Sequence, residues 1–320
     1  MELIKQKLNL GAFSIGVLAM FFYGTNAVAL KIATESMDPL VFAALRGLMI
    51  GIILLCFVSA YKKIFSAKNL LRILPGAILL TLFTAFYALG VSESGALKAS
   101  IFSLTMPVFL YLFAVILLHE PVIKRIMFGG VIAISGSLLL IGLPLVLGQG
   151  FQLGDVYLLI AYASVAAAAI HGKYMFRWLT PNELLSIRFF LGGFFLTLYI
   201  LFFMEPGAFL VGEATAWLLL LHTIVITGIV GNTLYYRALS KMKAEQSAPL
   251  FYIDPMTGTL LAALLLGERL DVSALVGVAV IVLGVSLSYP HHNHVLHNYL
   301  HPRKHRVRRV LYKLMHPIKG

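Results

Sequence analysis

The stretch Tyr87 to Gly136, YALGVSESGALKASIFSLTMPVFLYLFAVILLHEPVIKRIMFGGVIAISG, occurs twice in the chain, and nothing else in the sequence limits the fold as strongly. Tyr87, Ala96, Pro107, Glu120, Gly129 and Gly136 return as Tyr235, Ala244, Pro255, Glu268, Gly277 and Gly284, always 148 positions later. Upstream, Lys31, Pro39, Arg46 and Gly51 return as Lys173, Pro181, Arg188 and Gly193, 142 positions later. The two offsets place one insertion between Gly193 and Tyr235, most simply in the loop Met204 to Ala216. Between Pro107 and Glu120, and again between Pro255 and Glu268, the run is almost purely apolar. The repeated unit is therefore a set of hydrophobic helices joined at short polar turns, and the chain is a tandem duplication of a membrane unit.

With 60% hydrophobic and 12% charged residues and a mean hydropathy of +0.92, the chain is too apolar for a soluble globule with a polar shell. A transmembrane helix needs ~20 mostly apolar residues. Ten such segments can be placed, at 11–31, 39–60, 71–91, 95–118, 124–144, 152–173, 182–203, 214–236, 244–266 and 271–289. The expected fold is an all-α integral membrane protein: a short segment 1–10, a five-helix repeat over 11–144, a second over 152–289, and a tail at 290–320. Five is odd, so the second half enters the membrane from the opposite side, as an inverted-topology repeat. Lys5 and Lys7 before an apolar core, with Ala27-Val28-Ala29, imitate a cleavable signal. The recurrence of Lys31 and Pro39 in the second half makes this helix part of the repeat, so it is expected to be retained.

Charge sets the orientation. With the N-terminus in the cytoplasm, the inner segments hold Lys5, Lys7, Lys62, Lys63, Lys68, Arg72, Lys124, Arg125, Lys173, Arg177, Arg237, Lys241, Lys243 and the tail cations, while Lys31, Lys98 and Arg269 lie outside. This bias puts both termini in the cytoplasm, and the expected location is a prokaryotic inner membrane. The lone cysteine, Cys56, excludes an internal disulfide and is expected to face lipid or pack in the bundle.

At this point the residues resemble a known family. FYGTNAVALKIA is similar to the start of the first helix in the EamA group of the drug/metabolite transporter superfamily, and PLVFAALRGLMIG to its Arg-bearing second helix. ALKASIFSLTMPVFLYLFAVILLHEPV and AEQSAPLFYIDPMTGTLLAALLLGERL resemble its two copies of a Pro-containing helix ending in Gly-Glu. The resemblance covers residues 11 to 289, departs from the pattern at His119, where Gly is expected, and has no counterpart for the tail. It implies a ten-helix metabolite transporter, often an exporter, with a central cavity between the halves.

Ionisable groups in the hydrocarbon region are costly and usually face the bundle interior. Arg46 and Arg188 each lie seven residues into their helices, from opposite sides. They read either as cationic contacts for an anionic group offered alternately to the two faces, or as residues that snorkel or cap a neighbouring helix. Asp254 breaks the repeat, since its counterpart is Met106. It is a candidate for proton coupling or for the counter-charge of an amine, or a fixed partner of one of the arginines. Pro107 and Pro255 remove a backbone donor in mid-helix and crowd the carbonyls of Ser103 and Phe251, which makes them hinge candidates or simple shapers of packing. Tyr23, Asn26, Tyr87, Asn232, Tyr235 and Tyr252 are candidate substrate contacts, with interfacial anchoring and interhelical hydrogen bonding as the plain alternatives. Tyr236 belongs to the same aromatic set. Glu120 and Glu268 precede new helices and read as N-terminal caps. Gly129, Gly136, Gly277 and Gly284 read as a packing or homodimer face.

The tail carries seven histidines, His291, His292, His294, His297, His301, His305 and His316, but no Cys or acidic partner to fix a metal geometry, so no metal site is expected. VRRVLYKLMH fits a basic amphipathic helix on anionic lipid of the inner leaflet, not a nucleic-acid domain. No Walker motif couples ATP, no cofactor is expected, and neither H-E-x-x-H nor G-x-S-x-G points to an enzyme. The function expected is secondary transport of a small organic metabolite, such as an amino acid or related zwitterion, by proton-coupled alternating access, in the direction of export. An antiporter of phosphorylated or nucleotide-linked metabolites is the alternative within transporters; a membrane-embedded enzyme or passive channel is the alternative outside them.

Overall fold

The computed structural model describes residues 10–58, 65–106, 152–175, 178–205, 212–240, 253–267 and 272–288, together with Phe209 and isolated positions between 109 and 139. All described elements are helical: α1 (Leu10–Ala33), α2 (Pro39–Cys56), α3 (Ala67–Ser94), α4 (Ala96–Phe102), α5 (Leu153–Met175), α6 (Pro181–Phe203), α7 (Ala214–His222), α8 (Asn232–Ser240), α9 (Ile253–Leu266) and α10 (Val272–Ser288). α7 and α8 are two ends of one rod, joined by a π-helical stretch over Thr223–Gly231. Six spans, the rod among them, are long and apolar enough to cross a membrane. The expected segments 95–118, 124–144 and 244–266 extend beyond the described residues.

The repeat is visible in how helices begin. Pro39 and Pro181 both occupy the first turn, where a missing N–H costs nothing. Asp38 caps α2, accepting from Leu40 N at 2.8 Å and Val41 N at 3.1 Å. Thr180 caps α6 through a reciprocal box, in which its hydroxyl accepts from Glu183 N at 3.3 Å and its N–H donates to Glu183 Oε2 at 2.7 Å.

The repeat is visible again where helices cross. α2 and α6 run antiparallel and touch through glycines: Gly51 abuts the backbone of Phe190, and Gly193 abuts the backbone of Leu48. These two contacts exchange under the 142-residue offset. α3 packs antiparallel on α5, and the α7–α8 rod packs on α1, the offset-related pairing. Tyr87 meets the Tyr162 ring edge-on at 6.1 Å, and the equivalent positions, Tyr235 and Met20, pack together.

The core is almost wholly aliphatic and aromatic, with Phe42, Met20, Leu30, Ile50, Leu158 and Ile187 fully enclosed. Outward faces are just as apolar: Phe202, Phe203, Leu201, Leu218 and Leu264 are exposed. In water such a surface would aggregate, whereas against lipid it is the natural exterior.

α4 departs from the uniform helix expected over 95–118. It gives way to a tighter 3₁₀ turn at Ser103–Thr105, in which Met106 N donates to Ser103 O. Pro107 has no N–H to offer that carbonyl, so the bond is made one residue earlier.

Candidate functional site

Asp254 lies in the first described turn of α9, where that helix approaches α1 and α4 closely. A Cβ on Gly24 would stand 2.6 Å from Thr257 Cβ and 2.8 Å from Asp254 O, and one on Gly258 would stand 3.0 Å from Ser100 Cβ. Only glycines allow this approach, and it fixes where the carboxylate projects. Asp254 is half-buried, and among the described residues it forms no ion pair. The expectation that an arginine pairs directly with it is not what the side chains do.

Groups from five helices, α1, α2, α3, α5 and α8, link up with it. Tyr87 of α3 is within electrostatic range of both Asp254 and Arg46, and its phenol faces the Asn26 side chain. Tyr162 of α5 braces Tyr87, donates to Ala99 O at 2.8 Å and also lies within range of Asp254. Tyr23 of α1 donates to Asn232 Oδ1 at 2.7 Å, packs against Tyr235 at 6.3 Å and lies within range of Arg46. Asn232 Nδ2 in turn donates to Gly228 O at 2.7 Å, filling an acceptor inside the π-helical stretch. Arg46 Nη2 donates to Thr227 Oγ1 at 3.3 Å. Tyr23, Asn26, Arg46, Tyr87, Asn232, Tyr235 and Asp254 therefore form one cluster of mixed charge, lined by aromatic faces.

Arg188 belongs elsewhere. It is buried between α3, α5 and α6, donating through Nη1 to Ala168 O at 3.2 Å and touching His171 Nδ1 through Nη2. This is the carbonyl-capping alternative, with histidine added. Lys31 behaves similarly, donating to Ser92 O at 2.6 Å in the last turn of α3. Tyr252, Pro107, Glu120, Glu268 and the histidine-rich tail lie outside the described residues, as do the side chains of Pro255 and Tyr236. Gly129, Gly136, Gly277 and Gly284 are all buried within the chain. Cys56 is exposed on the apolar exterior.

Sequence reasoning missed Tyr162, Thr227 and the His171 contact. Tyr162 corresponds to Met20 and Thr227 to Leu79, so neither stands out in the repeat except by being polar where its mate is apolar. That difference is the signal that also picked out Asp254. At the far end of α3 lies a further polar knot, in which Lys98 Nζ pairs with Asp155 Oδ2 at 3.1 Å and Ser94 Oγ donates to Asp155 Oδ1 at 2.7 Å.

Two segments, residues 10–142 and 152–289, match the model of the EamA-like transporter family. The chain is 24% identical to "Uncharacterized transporter YetK" of Bacillus subtilis (strain 168), over 87% of each chain. It is 25% identical to a protein of Escherichia coli (strain K12) named "Probable amino-acid metabolite efflux pump", over 86% of this chain and 93% of that one. A protein of known crystal structure superposes with a TM-score of 0.60 at 18% identity, covering 91% of this chain and 99% of the other, so the fold is shared.

Proposed function

The chain belongs to the EamA-like transporter family, and from that premise we propose that it is a secondary exporter of a small organic metabolite, working by alternating access with Asp254 as its coupling or counter-charge group. That it is a transmembrane transporter of the drug/metabolite type follows from the family itself. One observation carries the finer reading: a half-buried carboxylate with no ion pair among the described residues, within electrostatic range of Tyr87 and Tyr162, where Tyr87 also faces Asn26 and lies within range of Arg46. A carboxylate in such a place is stabilised by taking a proton or a cationic partner, and either can be exchanged across a transport cycle.

A zwitterion such as an amino acid suits the cluster, because its ammonium can face Asp254 while its carboxylate faces Arg46. The efflux-pump relatives support both the cargo class and the direction. A phosphorylated cargo suits it less, since a dianion would be brought near Asp254. The antiparallel, offset-related packing of α2 on α6 supports an inverted repeat, as rocking of one half against the other requires. We place both termini, with the basic tail on anionic lipid, on the cytoplasmic side of a prokaryotic inner membrane, as the distribution of Lys and Arg favours.

Counterflow in proteoliposomes tests the reading. Purified protein loaded inside with an unlabelled amino-acid panel should accumulate external labelled amino acid transiently and saturably. Flux that rises linearly with concentration and shows no counterflow would mean a channel and overturn the proposal.

A further inference from the structure

The two arginines related by the repeat have opposite surroundings. Arg188 fills its slot: Nη1 is held by Ala168 O at 3.2 Å, Nη2 touches His171, and the guanidinium lies against Gly76 and Gly172. A Cβ on Gly172 would stand 3.2 Å from Nη1, and one on Gly76 would stand 2.7 Å from Nε, so no space is left for a ligand atom. Arg46 has none of this. The positions equivalent to Ala168, His171, Gly172 and Gly76 are Asn26, Ala29, Leu30 and Ile224, which give it neither a histidine nor a glycine slot.

What Arg46 has is one hydroxyl. Thr227 is fully buried and donates its hydrogen to Thr223 O at 2.7 Å, which turns a lone pair of Oγ1 toward Arg46 Nη2 at 3.3 Å. The Nε atoms of Arg46 and Arg188 are alike in being buried with no hydrogen bond, so the difference lies in the terminal nitrogens: those of Arg46 have the one Thr227 hydroxyl, and among the described residues no carboxylate lies within ion-pair distance of its guanidinium. A buried guanidinium offers five donors in a planar fork that matches an oxyanion bidentately. Leaving such donors unmade in a low-dielectric interior is unfavourable, and a visiting anion relieves it.

We propose that the repeat-related arginines have separate tasks: Arg46, positioned by Thr227, binds the carboxylate of the cargo, and Arg188 is a structural clasp that never meets it. This deepens the function proposed above and rests on it. It also predicts which substitutions change selectivity. The cost of losing a charge-assisted pair is roughly tenfold or more in apparent affinity.

The test compares leucine with leucinamide, which keeps the ammonium and loses the carboxylate charge, as competitors of labelled leucine in counterflow. Wild type should prefer leucine by roughly tenfold or more. Arg46→Gln should abolish that preference, and Thr227→Val should reduce it while leaving inhibition by leucinamide unchanged. Arg188→Gln should keep the ratio in whatever fraction of protein folds. The inference is overturned if Arg46→Gln or, should that variant not fold, Thr227→Val retains the wild-type ratio, or if folded Arg188→Gln loses it. Counterflow by wild type combined with equal potency of the two competitors would overturn this inference alone. Absence of saturable counterflow for the whole amino-acid panel would overturn the underlying transport reading as well.

Discussion

Glycines at helix crossings act here as shared boundaries. Gly51 and Gly193 are equivalent positions, and each lies against the other helix's backbone at the equivalent residue, Phe190 or Leu48. A methyl group at either has no flexible side chain to push aside, so α2 and α6 would have to separate. Gly51→Ala and Gly193→Ala should therefore each destabilise the folded protein, by about 1–3 kcal/mol, and by similar amounts. Thermal unfolding in detergent checks this, and unchanged melting of either variant would contradict the crossing. Both glycines were legible in the sequence as repeat landmarks. The reason for their recurrence was not, because close approach between helices leaves no periodic trace on either one. Asp254 and Arg46 were legible for a different reason: charge in an apolar run is conspicuous. Tyr162 and Thr227 carry no charge, and Arg188 disclosed its charge but not the His171 and Ala168 partners that hold its terminal nitrogens.

At the scale of elements, the sequence marks helix starts well and internal irregularities poorly. Pro39 and Pro181 announced the starts of α2 and α6 because proline at the first turn is chemically distinctive. The capping residues beside them follow the same logic. Thr180→Ala removes a side-chain acceptor from Glu183 N and breaks the reciprocal box, and should lower stability by about 1 kcal/mol. Thr180→Ser should restore it, and equal melting of all three proteins would argue against the cap. By contrast, nothing in TIVITGIVG announces the π-helical stretch within the α7–α8 rod. Its β-branched run is equally compatible with an ordinary α-helix in lipid. The stretch presents the Thr227 hydroxyl to Arg46 and the carbonyls of Thr223 and Gly228 to the Thr227 hydroxyl and the Asn232 amide. π-Helical turns commonly sit at functional sites, and this one borders the charged cluster.

For the whole molecule, the duplication and its divergence have separate consequences. What is kept in both halves, the prolines, glycines and caps, builds the scaffold: offset-related helices start alike and cross alike. What differs builds the cluster. Asp254 opposes Met106, Asn26 opposes Ala168, Thr227 opposes Leu79 and Tyr162 opposes Met20, so much of the polar interior is gathered from positions where symmetry was lost, beside Tyr87, Tyr235 and Arg46, where it was kept. At the end of the bundle assigned to the outer face, Lys31 to Ser92 and Lys98 to Asp155 tie α1, α3, α4 and α5 together. Of the two roles proposed for Asp254, coupling of the cargo cycle to protons is the one that a single experiment isolates. The direct measurement compares amino-acid counterflow with flux driven by a proton gradient, for wild type and Asp254→Asn in the same proteoliposomes. With Asp254 as the coupling group, gradient-driven flux vanishes in Asp254→Asn while counterflow persists; survival of gradient-driven flux at the wild-type level would contradict that role.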